Sequence, residues 1–186
     1  MIGYAFTGSF CTIPRALSEL EGMVRAGFDI QPIMSERVYS TSTRFGKAED
    51  LILRVEELTE RRVIHTVEDA EPLGAMLPLE YLIISPCTGN TLAKLASGIT
   101  DSAVTMAAKA HLRCDRPLLI ALASNDAMSQ NLANIARLLT RKSVYFLPLS
   151  QDDPRGKPYS LVADFSRLSE AFSAMRDGRQ LRPLFV

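Results

Sequence analysis

The chain has 186 residues, 47% apolar and 23% charged, with 21 Lys plus Arg against 21 Asp plus Glu. This composition can bury a core and excludes general disorder. The zero net charge lacks the basic footprint of a nucleic-acid binder, and no apolar run reaches the roughly 18 residues that span a bilayer.

Cys11, Cys87 and Cys114 are odd in number and form no CxxC. That argues against a disulfide framework or a zinc site and points to a reducing, cytoplasmic compartment. The opening Met1-Ile2-Gly3-Tyr4-Ala5-Phe6 has no basic residue ahead of its apolar stretch, unlike a secretory signal.

Ile2 to Phe6 reads as a short buried strand ending in the turn Thr7-Gly8-Ser9. A helix is expected from about Pro14, with Leu17, Leu20, Met23 and Val24 at helical spacing, up to Gly27. Phe28 to Met34 reads as a second strand, with Pro32 suggesting an edge or an irregular stretch. Ser35 to Thr43 is a hydroxyl-rich loop. Lys47 to Arg61 is a helix showing Leu51, Val55 and Leu58 on one face. Val63-Ile64-His65 is a brief third strand. Tyr81 to Ser85 is an unbroken apolar strand, followed by a turn through Pro86 to Asn90 and a short helix over about Thr91 to Ala96. Thr100 or Asp101 caps a helix that runs to about Cys114. Leu118 to Ala123 is a strand. Asn125 and Asp126 lead into a helix with Leu132, Ile135, Leu138 and Leu139 inward. Val144 to Leu149 is the last strand, Gln151 to Ser160 a polar loop, and Asp164 the start of a final amphipathic helix.

Strands and helices alternate, and the best strands are continuous apolar runs, the pattern of a parallel sheet covered on both faces. The expectation is a doubly wound, Rossmann-like α/β domain over residues 1–186, with a mostly parallel sheet of about six strands between helices. Ligands of such folds bind beyond the carboxyl ends of the strands. Those ends carry Thr7, Gly8 and Ser9; Ser35 and the Ser40–Thr43 run; Pro86, Thr88, Gly89 and Asn90; and Ser124 and Asn125. Hydroxyls, amides and tight turns, almost without charge, suit a neutral ring and a phosphate held by N–H and hydroxyl groups. Thr7-Gly8-Ser9 taken alone reads more often as an ordinary turn than as a phosphate site, and the chain has neither GxGxxG nor GxxxxGK[ST]. Cys87 reads as a packing residue or a nucleophile without an evident His partner. His65 and His111 are the only histidines, each an acid/base candidate or a structural group. Lys109 and Arg113 share a helix face, either solvated or anion-binding.

These residues carry a resemblance. Thr7-Gly8-Ser9, the Pro86-Cys87-Thr88-Gly89-Asn90-Thr91 segment and Gly98-Ile99-Thr100-Asp101 resemble the flavoprotein superfamily that includes FMN-dependent cysteine decarboxylases. The PCTGNTLAKLA segment, Ile99 to Arg113, Ser124-Asn125-Asp126 and Gln151-Asp152-Asp153-Pro154 are similar to the family of dipicolinate synthase B subunits. The resemblance covers essentially the whole chain in order. It implies an FMN-binding fold, a homo-oligomer (a trimer or a multiple), and a role in oxidising dihydrodipicolinate to dipicolinate for bacterial spores. Carried over by position, Gly8, Ser9 and Ser35 would hold the FMN phosphate, while Pro86, Thr88, Gly89, Asn90 and Thr91 would line the flavin. Ser124 and Asn125 stand at the substrate motif.

A small dicarboxylate substrate calls for cations, with Lys109 and Arg113, Lys94, Arg155 and Lys157 as candidates. The resemblance also implies a partner, the A subunit of dipicolinate synthase. This chain has no glycine fingerprint, so NADP is expected on that partner. The decarboxylases place a His shortly before the central strand, and Glu71 to Leu77 holds none. The alternatives are a flavin-dependent decarboxylase of the phosphopantothenoylcysteine type and a non-catalytic, flavin-bearing regulatory subunit. The catalytic acid/base is unassigned and no metal site is expected.

Overall fold

Five apolar segments form the parallel part of one seven-stranded sheet in the computed structural model, which describes residues 1–186. They are β1 (Ile2–Phe6), β2 (Ile30–Met34), β3 (Tyr81–Thr88), β4 (Leu118–Ser124) and β5 (Val144–Phe146). Two short strands, β6 (Leu149–Ser150) and β7 (Leu161–Ala163), complete it. The order is β2-β1-β3-β4-β7-β6, with β5 pairing the first half of β4 and β7 running antiparallel against its last two residues. All residues of β1, β2 and β4 are buried, because helices cover both faces.

Those helices are α1 (Ile13–Arg25), α2 (Glu36–Ser40), α3 (Ala48–Thr59), α4 (Val67–Ala70), α5 (Gly89–Ser97), α6 (Ala103–Leu112), α7 (Gln130–Leu139) and α8 (Leu168–Arg176). Phe10–Thr12 and Phe165–Arg167 form 3₁₀ turns. One contiguous core cluster of 47 buried apolar residues joins the sheet to both helix layers. No helix is long and apolar enough to cross a membrane.

The doubly wound expectation holds, with seven strands rather than about six. Val144 to Leu149 is two strands, since Pro148 between them has no N–H for a ladder. The chain then returns as β7. Val63-Ile64-His65 makes only one bridge, Ile64 to Ile33. The next ladder bond toward Arg62 would need the missing N–H of Pro32, and the Gln31 side chain supplies it instead, its Nε2 lying 3.0 Å from the Arg62 carbonyl.

The Ser35 to Thr43 loop contains α2, whose five residues bury only Val38, too little for a helical period to be visible. Ser102, not Thr100 or Asp101, caps α6, in a reciprocal capping box with Thr105. Asp101 is instead bonded to Lys94 at 2.8 Å. Leu132 faces solvent, and α7 buries Asn131, Ile135 and Leu138.

Candidate functional site

The carboxyl ends of β1, β3 and β4 open into a cavity of about 890 Å³. That lies within the roughly 300–1,000 Å³ typical of small-molecule sites. Thr7, 1% exposed, sets the spacing of its two walls. Its hydroxyl donates to the Pro86 carbonyl at 2.8 Å and accepts the Thr88 N–H at 2.8 Å, while its own N–H donates to Pro86 at 3.1 Å. These bonds carry β1 past the register shift in β3 between Ile84 and Cys87 and hold Thr88 at the cavity wall.

Thr88 then caps α5. Its Oγ1 accepts the Thr91 N–H at 3.2 Å and donates to Thr91 Oγ1 at 3.0 Å. On the other wall, Ser9 is fixed by Thr12, whose hydroxyl lies 2.9 Å from the Ser9 carbonyl and 3.0 Å from its Oγ.

Gly8, Ser9, Thr88, Gly89, Asn90, Ser124 and Asn125 all line this cavity. Pro86 and Thr91 sit directly behind it, as the anchor of Thr7 and the partner of the Thr88 cap. Ser35 precedes α2 at the end of β2, next to β1, with its Oγ buried and unpartnered. The side chain of Arg37, two residues on, packs over Gly8: a Cβ built there would lie 3.8 Å from Arg37 Cδ.

Lys109 and Arg113 are not brought to this site, which corrects the expected substrate contacts. Helix α6 runs back from the site end of the sheet toward the start of β4, so its last turn lies at the opposite edge, and both side chains are exposed there. Lys94 is held by Asp101. The charges that do line the cavity are Arg15, Asp126, Asp152 and Lys157. Lys157 was legible as a loop cation, and here it is paired with Asp152 at 2.8 Å. Arg15 makes no ion pair or side-chain hydrogen bond. Its signal was its place in the first turn of a helix that starts at the end of β1.

Asp126 accepts from Ser124 Oγ and from Asn131 Nδ2. Those bonds, Ser124 first, hold its carboxyl below the ordinary carboxylate range despite some desolvation. A second, apolar cavity of about 280 Å³, walled by Ile13, Leu17, Val38 and Leu51, shares Phe10 and Phe45 with the first.

No histidine reaches the cavity. His65 lies against Tyr39, ring centroids 3.6 Å apart, in a separate depression with Glu36 and Asp101. His111 is buried, with Nε2 2.8 Å from the Pro117 carbonyl, and burial pushes its pKa down to about 4. Cys87 is buried in β3, where desolvation raises its thiol pKa far above neutrality. This fits a packing residue rather than a nucleophile.

The geometry agrees with what the chain is similar to. The flavoprotein family model matches residues 1–167. The dipicolinate synthase B subunit of Bacillus subtilis is 40% identical over 185 residues, covering 100% of this chain and 92% of that protein. The crystal structure of the dipicolinate synthase B subunit from Bacillus halodurans superposes with a TM-score of 0.91 at 38% identity, over 100% of this chain and 95% of that one. That of the FMN-dependent cysteine decarboxylase SpaF gives 0.68 at 21% identity, over 95% of each chain, a likeness of fold. The chain belongs to the flavoprotein family and, within it, to the family of dipicolinate synthase B subunits.

Proposed function

We propose that residues 1–186 form one FMN-binding domain that acts in the cytoplasm, with the A subunit of dipicolinate synthase, in oxidising dihydrodipicolinate to dipicolinate. The observation that carries this reading is the cavity where Gly8, Ser9, Thr88, Gly89, Asn90, Ser124 and Asn125 converge.

The residues fit FMN. A phosphate needs several donors close to bare backbone. The Gly8 turn, the fixed Ser9 hydroxyl and the unpartnered, buried Ser35 hydroxyl offer them, with the Arg37 side chain over Gly8 as a countercharge. Thr88, Gly89 and Asn90 give a polar edge for a flavin ring. Bound FMN supplies a two-electron acceptor. NADP, if used, belongs to the partner, because this chain carries no glycine fingerprint for it.

The chain's own residues would bind and orient a small dicarboxylate. Arg15 is the unpaired cation of the cavity; Lys157, the other cation in its lining, is already paired with Asp152. A carboxylate removed from water needs such a partner. Peptidyl-cysteine decarboxylation, the alternative, loses support from the absence of any histidine at the cavity. The family suggests a homo-oligomer, a trimer or a multiple of one.

A paired assay tests the reading. The purified chain should bind FMN with a flavin absorbance band, release no carbon dioxide from a peptide ending in cysteine, and support dipicolinate formation from dihydrodipicolinate and NADP only with its partner. Full activity of that partner on its own would overturn it.

A further inference from the structure

The charges that line the cavity balance: Arg15 and Lys157 against Asp126 and Asp152. Asp126 is satisfied by Ser124 and Asn131, and Arg15 is in no ion pair. Lys157 differs, because its Nζ lies 2.8 Å from Asp152 Oδ2. The loop that carries both residues does not need that bond to keep its shape. The Gly156 N–H donates to Asp153 Oδ1 at 2.8 Å, the Lys157 N–H to the Asp153 carbonyl at 2.7 Å, and the Ser160 N–H to the Lys157 carbonyl at 3.0 Å. Gln151 Nε2 donates to the Pro158 carbonyl at 2.9 Å, and the Met128 N–H ties Tyr159 to the body of the fold at 2.9 Å. Nor does Asp152 depend on Lys157 alone, since the side chain of Ser160, a residue 3% exposed, also bonds its carboxyl. Both side chains of the pair stay open to water, 55% for Lys157 and 35% for Asp152. An ion pair this exposed holds weakly and is open to competition.

A monocarboxylate and a dicarboxylate make different demands on this set. One carboxylate can be met by Arg15 while Asp152 stays on Lys157. A second carboxylate needs a second cation, because an anion drawn from water without a partner is costly. Lys157 is the only other cation in the lining. We propose, resting on the reading of this cavity as a dicarboxylate site, that Asp152 is a built-in competitor for Lys157, displaced by the second carboxylate of a dianionic ligand and left in place by a monoanion. Displaced, Asp152 keeps Ser160 and water as partners. As the dianion leaves, Asp152 returns to the ammonium, so release never strands a bare cation. Asp152 is a positioning residue in this arrangement: it acts through Lys157 and not on the ligand.

The test is a calorimetric titration of the FMN-loaded chain with its partner subunit, using pyridine-2,6-dicarboxylate and pyridine-2-carboxylate. It is run at about 0.15 M salt, where exposed charges are screened beyond roughly 8 Å. The loop residues are exposed and outside the core cluster, so the variants keep the fold. Asp152→Asn keeps the size of the side chain and removes the charge that holds Lys157. It should tighten the dicarboxylate by about two- to fivefold, the weight of one exposed ion pair. Lys157→Met should weaken the dicarboxylate by a similar factor. The double variant should match Lys157→Met, so that about tenfold, the weight of a charge-assisted hydrogen bond, separates it from Asp152→Asn. Affinity for the monocarboxylate should be the same in all four proteins. An equal gain for both probes in Asp152→Asn, or a gain that survives in the double variant, would assign the effect to the charge of Asp152 alone and overturn the proposal. A loss in Asp152→Asn would overturn it too, since the pair would then be a brace for the loop. These outcomes leave the dicarboxylate reading standing. If wild type binds neither probe, that reading itself fails, and this proposal fails with it.

Discussion

Thr7 holds Thr88 across the seam between β1 and β3, its Oγ1 accepting the Thr88 N–H at 2.8 Å while donating to Pro86 at 2.8 Å. One buried hydroxyl thus supplies both a donor and an acceptor to the backbone that carries the site. Thr7→Val keeps the shape and removes both bonds. We expect a loss of about 1–3 kcal/mol, the cost of stranding buried polar groups, read as a lower urea midpoint. FMN affinity should fall as well, because the Thr88 wall loosens. An unchanged midpoint would show that the seam is held by other contacts.

Arg15→Ala should lower affinity for pyridine-2,6-dicarboxylate by about tenfold, the weight of a charge-assisted hydrogen bond, with FMN binding intact. Lys109→Ala and Arg113→Ala should leave both affinities unchanged, since those side chains sit at the other edge of the sheet. Equal losses in all three variants, measured by calorimetry, would contradict the placement.

Gly89→Ala should destabilise the chain by about 1–3 kcal/mol, the usual cost of overpacking a filled space. The new methyl group would strike Asn131 and Asp126, both held in a network that cannot easily yield. Gly8→Ala meets only ordinary contacts, 3.6 Å from Phe10 and 3.8 Å from Arg37. It should therefore fold normally and weaken FMN binding alone. Thermal melts beside flavin titrations separate the two effects.

His111 makes stability depend on pH. Burial holds its pKa down to about 4 in the fold, against about 6.5 when unfolded. Its stabilising contribution is therefore complete above about pH 6.5 and is lost as pH falls toward 4, by up to about 3 kcal/mol. The neutral ring donates from Nε2 to Pro117. Protonation would add charge at Nδ1, which has no partner, near Arg116. His111→Gln should flatten the fall in urea midpoint between pH 7 and pH 4.5. A slope equal to that of wild type would refute this.

The parallel core was readable because Ile2 to Phe6 and Leu118 to Ala123 are unbroken apolar runs that only a doubly covered strand requires. The cavity's polar residues were readable because they follow those strands directly. Leu161–Ala163 was missed, being three residues with pairing that depends on Ser124 and Ala123 far along the chain. Arg15 and Asp126 were missed as site residues because a charge in the first turn of a helix, or in the turn that leads into one, looks the same whether it faces solvent or a ligand. Lys109 and Arg113 were misplaced because spacing shows that two residues share a face, not which end of the sheet that face meets.

The return of the chain through β7 has a consequence for how this scaffold diversifies. Residues 151–159 leave from β6 and come back into β7 at the site end of the sheet, and all nine are exposed. None of them belongs to the core cluster, while Asp152 and Lys157 reach into the cavity rim. This segment is an exchangeable module: apart from the bond between Asp152 and the buried Ser160, its length and charge can be rewritten without disturbing a buried side chain. A change of ligand can therefore be drawn from one short run of codons while the parallel strands stay as they are.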